Sequence, residues 1–112
     1  MRKIIDKRPW GKFERFTLNE KSTVKLLYVK KGKRNSYQYH KFRSEFWHVV
    51  SGKILVTLNA KQTVLREGGE IRIPVMAKHR MKGMEDSVVL EITSGKFDEN
   101  DIVRLEDDFN RK

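Results

Sequence analysis

Between Gln38 and Glu45 the chain offers an amide oxygen, an imidazole and a carboxylate: Gln38, His40 and Glu45. These donor types suit a borderline divalent cation. Imidazole favours zinc, iron, cobalt or nickel, and the two oxygen donors tolerate those and manganese as well. Two neighbouring strands joined by a tight connection would turn all three inward, which makes half of a metal site. A solitary histidine is more often an ordinary half-buried side chain. His40 has company, and a further donor is available from another strand: His79 follows Pro74 at the start of a segment that can pair back against the sheet. With no cysteine in the chain, neither disulfides nor thiolate ligands are possible, so a metal must be held by nitrogen and oxygen.

The elements that would position these residues read as strands. Ser44 to Val50 alternates Glu45, Trp47 and Val49 on one face with Phe46, His48 and Val50 on the other, so if Glu45 faces a metal, His48 faces away, toward an outer surface or a subunit contact. Further strands are expected over Lys12 to Leu18, Thr23 to Val29, Ser36 to His40, Ile54 to Asn59, Thr63 to Arg66, Ile71 to Ile73 and Val88 to Thr93. The nearly continuous apolar run of Thr23 to Val29 predicts a strand covered on both faces. Arg8-Pro9-Trp10-Gly11, Asn19 to Ser22, Lys30 to Asn35 and Ser51-Gly52-Lys53 are turn signals. Turns every eight to twelve residues without a long 3.6-residue period predict an all-β antiparallel sandwich or barrel. Asp98 to Leu105 carries a capping residue and an acidic first turn. Ile102, Leu105 and Phe109 could share one stripe, so the tail is expected to be short and irregular or to hold one helical turn at most.

At 112 residues the expectation is one domain over 1–112: an extended segment at 1–11, a barrel at 12–95 and a tail at 96–112. The amino terminus lacks an apolar stretch behind its basic residues and nothing approaches a membrane span, so a cytoplasmic protein is expected and no membrane partner. The net charge of +10 raises nucleic acid as a partner, but the Lys and Arg residues are scattered and no nucleic-acid-binding signature accompanies them. A positive field that draws in a small anionic substrate is the alternative.

The spacing Gly32-x5-Gln38-x-His40-x4-Glu45-x6-Gly52 followed by Gly68-x5-Pro74-x4-His79 resembles the two cupin motifs. That resemblance implies a jelly-roll barrel, a double-stranded β-helix, in which Gln38, His40, Glu45 and His79 bind one divalent metal, zinc first, then cobalt, manganese, nickel or iron. Arg8-Pro9-Trp10-Gly11, Gln38-x-His40-x2-Arg43-x-Glu45-x-Trp47, Val49 to Gly52, Ile73-Pro74, His79, Glu91-Ile92, Gly95 and Asp101 to Arg104 further resemble the carboxy-terminal cupin of type II mannose-6-phosphate isomerases. In that family the domain is often fused to a mannose-1-phosphate guanylyltransferase, for which 112 β-rich residues hold no nucleotide-binding unit. Met76 stands where the family usually has glycine, Gly83 where it has asparagine, and Phe42 and Phe46 where it commonly has histidine.

The resemblance implies interconversion of mannose 6-phosphate and fructose 6-phosphate, a proton transfer between adjacent carbons. The metal would polarise the carbonyl. Arg43, on Glu45's face, would offset developing charge and touch substrate, and Arg104 would grip the phosphate, unless it locks the tail through Glu106 or Asp107. Trp47 and Lys78 are the other substrate-binding candidates, with Trp10 and Trp47 together forming one wall for the sugar ring. The base is unassigned: Glu91, Lys78 or a metal-bound hydroxide. The alternative is a cupin without this catalysis that binds a sugar phosphate or nucleotide sugar in polysaccharide biosynthesis. A homodimer is expected by analogy, with Phe46, His48 and Val50 in its contact patch.

Overall fold

The computed structural model describes residues 3–109. Strands among them are β1 (Ile4–Arg8), β2 (Gly11–Arg15), β3 (Ser22–Val29), β4 (Tyr37–Tyr39), β5 (Arg43–Ser51), β6 (Lys53–Leu58), β7 (Lys61–Arg66), β8 (Glu70–Ile73), β9 (His79–Gly83), β10 (Ser87–Gly95) and β11 (Val103–Glu106). The first two form a hairpin of their own. The others make two antiparallel sheets, in the orders β3-β10-β5-β8 and β11-β4-β9-β6-β7. No helix among the described residues is long and apolar enough to cross a membrane.

Strand alternation closes the two sheets on one interior. On β5 the buried residues are Arg43, Glu45, Trp47 and Val49, while Phe46 and His48 face out and are only half-buried. On β10 the inward row runs Val89, Glu91, Thr93, because these residues pair in register with Val49, Trp47 and Glu45. From the other sheet Ile54, Val56 and Leu58 of β6 lie opposite Gly83, Met81 and His79 of β9. The inward side chains are apolar at one end of the barrel and polar at the other. Trp47, Val49, Ile54, Val56, Ile73, Ala77, Met81 and Val89 form the core, and Arg43, Glu45, His40, His79 and Glu91 are buried beyond it. Burying the apolar end stabilises the barrel that holds the charged end together, at roughly 25 cal/mol per Å² of apolar surface.

The turn between β5 and β6 requires glycine. Gly52 has φ +87, and a Cβ there would lie 2.4 Å from Ser87 Oγ. Gly83 packs under the loop after β3: a Cβ would stand 2.5 Å from Lys30 O, and Gly32 N donates to Gly83 O at 2.8 Å.

Three expectations are corrected. The tail holds no helical turn. Asn100 N donates to Asp98 Oδ1 at 2.9 Å, so the capping-type residue closes a local turn, and β11 pairs with β4. The β3 strand is not covered on both faces: Val24, Leu26 and Tyr28 are exposed, Tyr28 at 74%. Trp10, at the β1–β2 turn, is 73% exposed whereas Trp47 is 1% exposed, so the two make no common wall. The outward patch is partly covered by the chain itself, since the Phe16 ring lies 6.0 Å from that of Phe46 and 5.3 Å from that of His48, leaving Val50 as its exposed member.

Candidate metal centre

His40 follows β4, Glu45 lies on β5 and His79 opens β9, so three chain segments meet at one point. One ligand atom from each of the three lies within 4.8 Å of the others. His40 Nε2 stands 3.3 Å from Glu45 Oε2, and His79 Nε2 stands 3.7 Å from Glu45 Oε1.

The tautomers follow from what the other ring nitrogens touch. His40 Nδ1 lies 2.6 Å from the carbonyl oxygen of Asp101, and His79 Nδ1 lies 2.9 Å from that of Ala77. A carbonyl only accepts, so Nδ1 donates in both rings, and in a neutral imidazole Nε2 then carries the lone pair. Both Nε2 atoms face the Glu45 carboxylate, another acceptor. His79 Nε2 is buried and has no hydrogen-bond partner. Burial pushes the His79 imidazole below its ordinary pKa despite the pull of the Glu45 charge. Two imidazole lone pairs and a carboxylate converge here with no proton between them, and the buried His79 Nε2, left without any partner, costs desolvation energy unless a cation sits among them. The donor set and the orphaned nitrogen therefore fit a divalent ion held by nitrogen and oxygen, with backbone carbonyls orienting both imidazoles from behind.

Supporting groups fix the carboxylate. Trp47 Nε1 donates to Glu45 Oε1 at 3.0 Å, and the Trp47 ring meets that of His79 edge-on at 5.6 Å. Trp47 is thus a core residue that positions two members of the cluster. Burial alone would raise Glu45, but its close polar contacts with His40, Glu91 and His79 outweigh it and hold the carboxyl at about 2. Glu91 goes the other way: burial and the neighbouring Glu45 push it up to about 8, so it keeps its proton at neutral pH and donates to Glu45.

Arg43 is buried beside the cluster. Its Nη1 donates to Asp98 O at 2.9 Å, Nη2 lies 3.4 Å from His40 Nε2, and Nε lies 3.6 Å from Glu45 Oε2. Gln38 is in register with His79 across β4 and β9 and with Arg104 across β4 and β11, so all three share the inner face. Gln38 Oε1 also accepts the Ser36 hydroxyl at 2.6 Å, which an ion would have to share. Glu106, one of two expected partners for Arg104, takes Arg80 at 3.2 Å. Lys78 is exposed in the loop before β9, where its backbone N–H donates to Asn59 Oδ1 at 2.9 Å.

Two residues of this end were not picked out for these roles beforehand. Asp101 holds the cluster from below, since its carboxylate accepts from Lys41 N at 2.8 Å and Phe42 N at 3.0 Å while its carbonyl holds His40. Lys25, lost in the apolar run of β3, lies opposite Glu91 and so faces inward. Strand parity puts it on the face of Leu27 and Val29, but with apolar residues on both faces of β3 the sequence does not say which is the inner one.

A family profile described as "Mannose-6-phosphate isomerase C-terminal" matches residues 2–107. The mannose-1-phosphate guanylyltransferase ManC of Salmonella typhimurium is 38% identical over 107 residues, 93% of this chain and 22% of that protein. The alginate biosynthesis protein AlgA of Pseudomonas aeruginosa is 38% identical over the same shares, 93% and 22%. The chain therefore spans less than a quarter of the length of these curated relatives. Among solved structures, the capsular polysaccharide assembling protein CapF of Staphylococcus aureus shares the fold with TM-score 0.69 at 22% identity, over 94% of this chain and 34% of that one.

Proposed function

We propose, from the premise that this chain belongs to the mannose-6-phosphate isomerase C-terminal family, that it is a metal-binding cupin that takes a sugar phosphate or nucleotide sugar in polysaccharide biosynthesis. The observation that carries this reading is the convergence of His40 Nε2, His79 Nε2 and Glu45 in one buried space. Gln38 would complete the ligand set from the next strand. A divalent ion held there would supply Lewis-acid polarisation of a sugar oxygen. The residues of the chain do the rest: Glu45 is oriented by Trp47 and Glu91, and Arg43 sets a fixed positive charge beside the ligand's oxygens. Relatives named for mannose-1-phosphate guanylyltransfer and alginate biosynthesis support the choice of a phosphorylated or nucleotide-linked sugar. A cytoplasmic site and a homodimer formed through the exposed β3 face, Val24, Leu26 and Tyr28, belong to the same reading.

Isomerisation of mannose 6-phosphate is the second reading, favoured by Glu91, a buried carboxyl next to Glu45 and within the same polar end of the barrel. One experiment separates the two. Metal-loaded protein is titrated calorimetrically with mannose 6-phosphate and a nucleoside diphosphate mannose, and assayed for fructose 6-phosphate. Binding that chelation abolishes, without turnover, is expected. Turnover lost on chelation would promote isomerisation, and binding of neither ligand would overturn both readings.

A further inference from the structure

The inward-facing row of β3 is Thr23, Lys25, Leu27 and Val29, set by the pairing of Thr23 with Thr93, Lys25 with Glu91 and Leu27 with Val89. Lys25 is therefore a cation on the inner face, one strand from a buried carboxyl and in the same cross-strand row as Trp47. Its ion pair is with Glu99, 3.7 Å away and 81% exposed, which is worth little. What holds the ammonium is an aromatic ring: Lys25 Nζ lies 4.3 Å from the Phe97 centroid. The Arg43 guanidinium carbon lies 4.5 Å from the same centroid.

Two cations gathered on one neutral ring repel each other, and a cation–π contact near the surface returns little against that. Arg43 Nε is buried without a hydrogen-bond partner. Phe97 lies in the connection from β10 to β11, the segment whose Asp98 carbonyl also accepts from Arg43. A second cation and a guanidinium whose Nε has only the 3.6 Å contact with Glu45 Oε2 thus meet at the polar end of the barrel, where Arg43 reaches the metal cluster on one side and Phe97 on the other. A phosphomonoester, which carries up to two charges and several acceptor oxygens, satisfies both needs.

We propose that Lys25 and Arg43, brought together over Phe97, bind the phosphate of a phosphomonoester ligand, with Lys25 as the specificity-determining cation. This rests on the sugar-phosphate reading above but assigns the phosphate end to residues of β3 and β5, where the sequence resemblance pointed to Arg104.

The test uses the metal-loaded chain with inorganic phosphate and mannose 6-phosphate as probes, read by calorimetry and by the Lys25 side-chain NMR signals. Both probes are expected to shift those signals. Lys25→Met should weaken both by about tenfold or more, the usual range for a hydrogen bond to a charged group, with metal content and melting temperature unchanged, and Lys25→Arg should restore most of the affinity. Undiminished binding by Lys25→Met, or no phosphate binding by the unaltered chain, overturns the proposal. If inorganic phosphate binds through Lys25 but mannose 6-phosphate binds no tighter, the pair stands and the sugar reading falls. Tight mannose 6-phosphate binding that ignores Lys25→Met does the reverse.

Discussion

His79 Nε2 points at Glu45 Oε1 across 3.7 Å with no hydrogen between them, because the ring's only proton is committed to the carbonyl of Ala77. An acceptor facing an acceptor inside a barrel is an arrangement that a cation resolves.

Replacing Asp101 by Ala should harm both stability and metal binding. Two backbone N–H groups, of Lys41 and Phe42, lose their acceptor, a loss of about 2 kcal/mol. The segment that carries the residue-101 carbonyl behind His40 is then less firmly held, which should lower metal affinity by roughly 10-fold, the low end of the range for an outer-shell partner. Chemical denaturation and a competitive chelator titration measure the two effects; unchanged metal affinity would show that Asp101 does not position His40.

Met76 occupies a left-handed conformation with φ 69, at the turn where its N–H donates to His40 O at 2.8 Å. A side chain pays a steric penalty there that glycine escapes, offset in part by the extra freedom of glycine in the unfolded chain. Met76→Gly is expected to stabilise the protein by up to about 1 kcal/mol in urea denaturation. A clear destabilisation would mean that the exposed Met76 side chain makes a contact of greater worth.

The tail is fastened by Arg34, whose Nε and Nη2 donate to Asp108 at 2.7 and 2.8 Å. That contact holds the Asp108 carboxyl below its ordinary 3.8. A depressed folded pKa means that the contribution is complete above the unfolded value and is lost as pH falls through the folded one. Protection of the β11 amides, after correction for the intrinsic pH dependence of exchange, should therefore be steady down to about pH 4 and fall only below it. Fraying of β11 that titrates near roughly pH 6 would contradict this.

Filling the space beneath Lys30 should be costly. Gly83→Asn places a Cβ against a backbone oxygen that cannot yield without moving the β3–β4 loop, and a loss of about 1–3 kcal/mol is expected. Thermal melting decides it, and an unchanged melting temperature would show that the loop gives way freely.

The parts legible in the sequence were those with a strict local rule. The two-residue period of β5 put Glu45 and Trp47 inside and Phe46 and His48 outside, as observed, and the motif spacing brought His40, Glu45 and His79 together. Parity does not say what covers a face. The apolar residues of β3 pointed to burial on both sides, yet Val24, Leu26 and Tyr28 are exposed. The tail failed for a different reason. Asp98 supplies the same side-chain oxygen to a helix cap or to a turn, and only the distant partner β4 decides for a strand. Lys25 went unread because a charged residue within an apolar run gives no sign of its face until its strand partner, Glu91, is known.

Metal analysis by native mass spectrometry tests the central claim most directly. The protein loaded with zinc, cobalt, manganese, nickel or iron should hold one ion per chain, and His79→Ala and Glu45→Gln should each lose it while remaining folded. A chain that takes up no stoichiometric ion under any of these conditions, or one that keeps its ion after His79→Ala, would contradict the account.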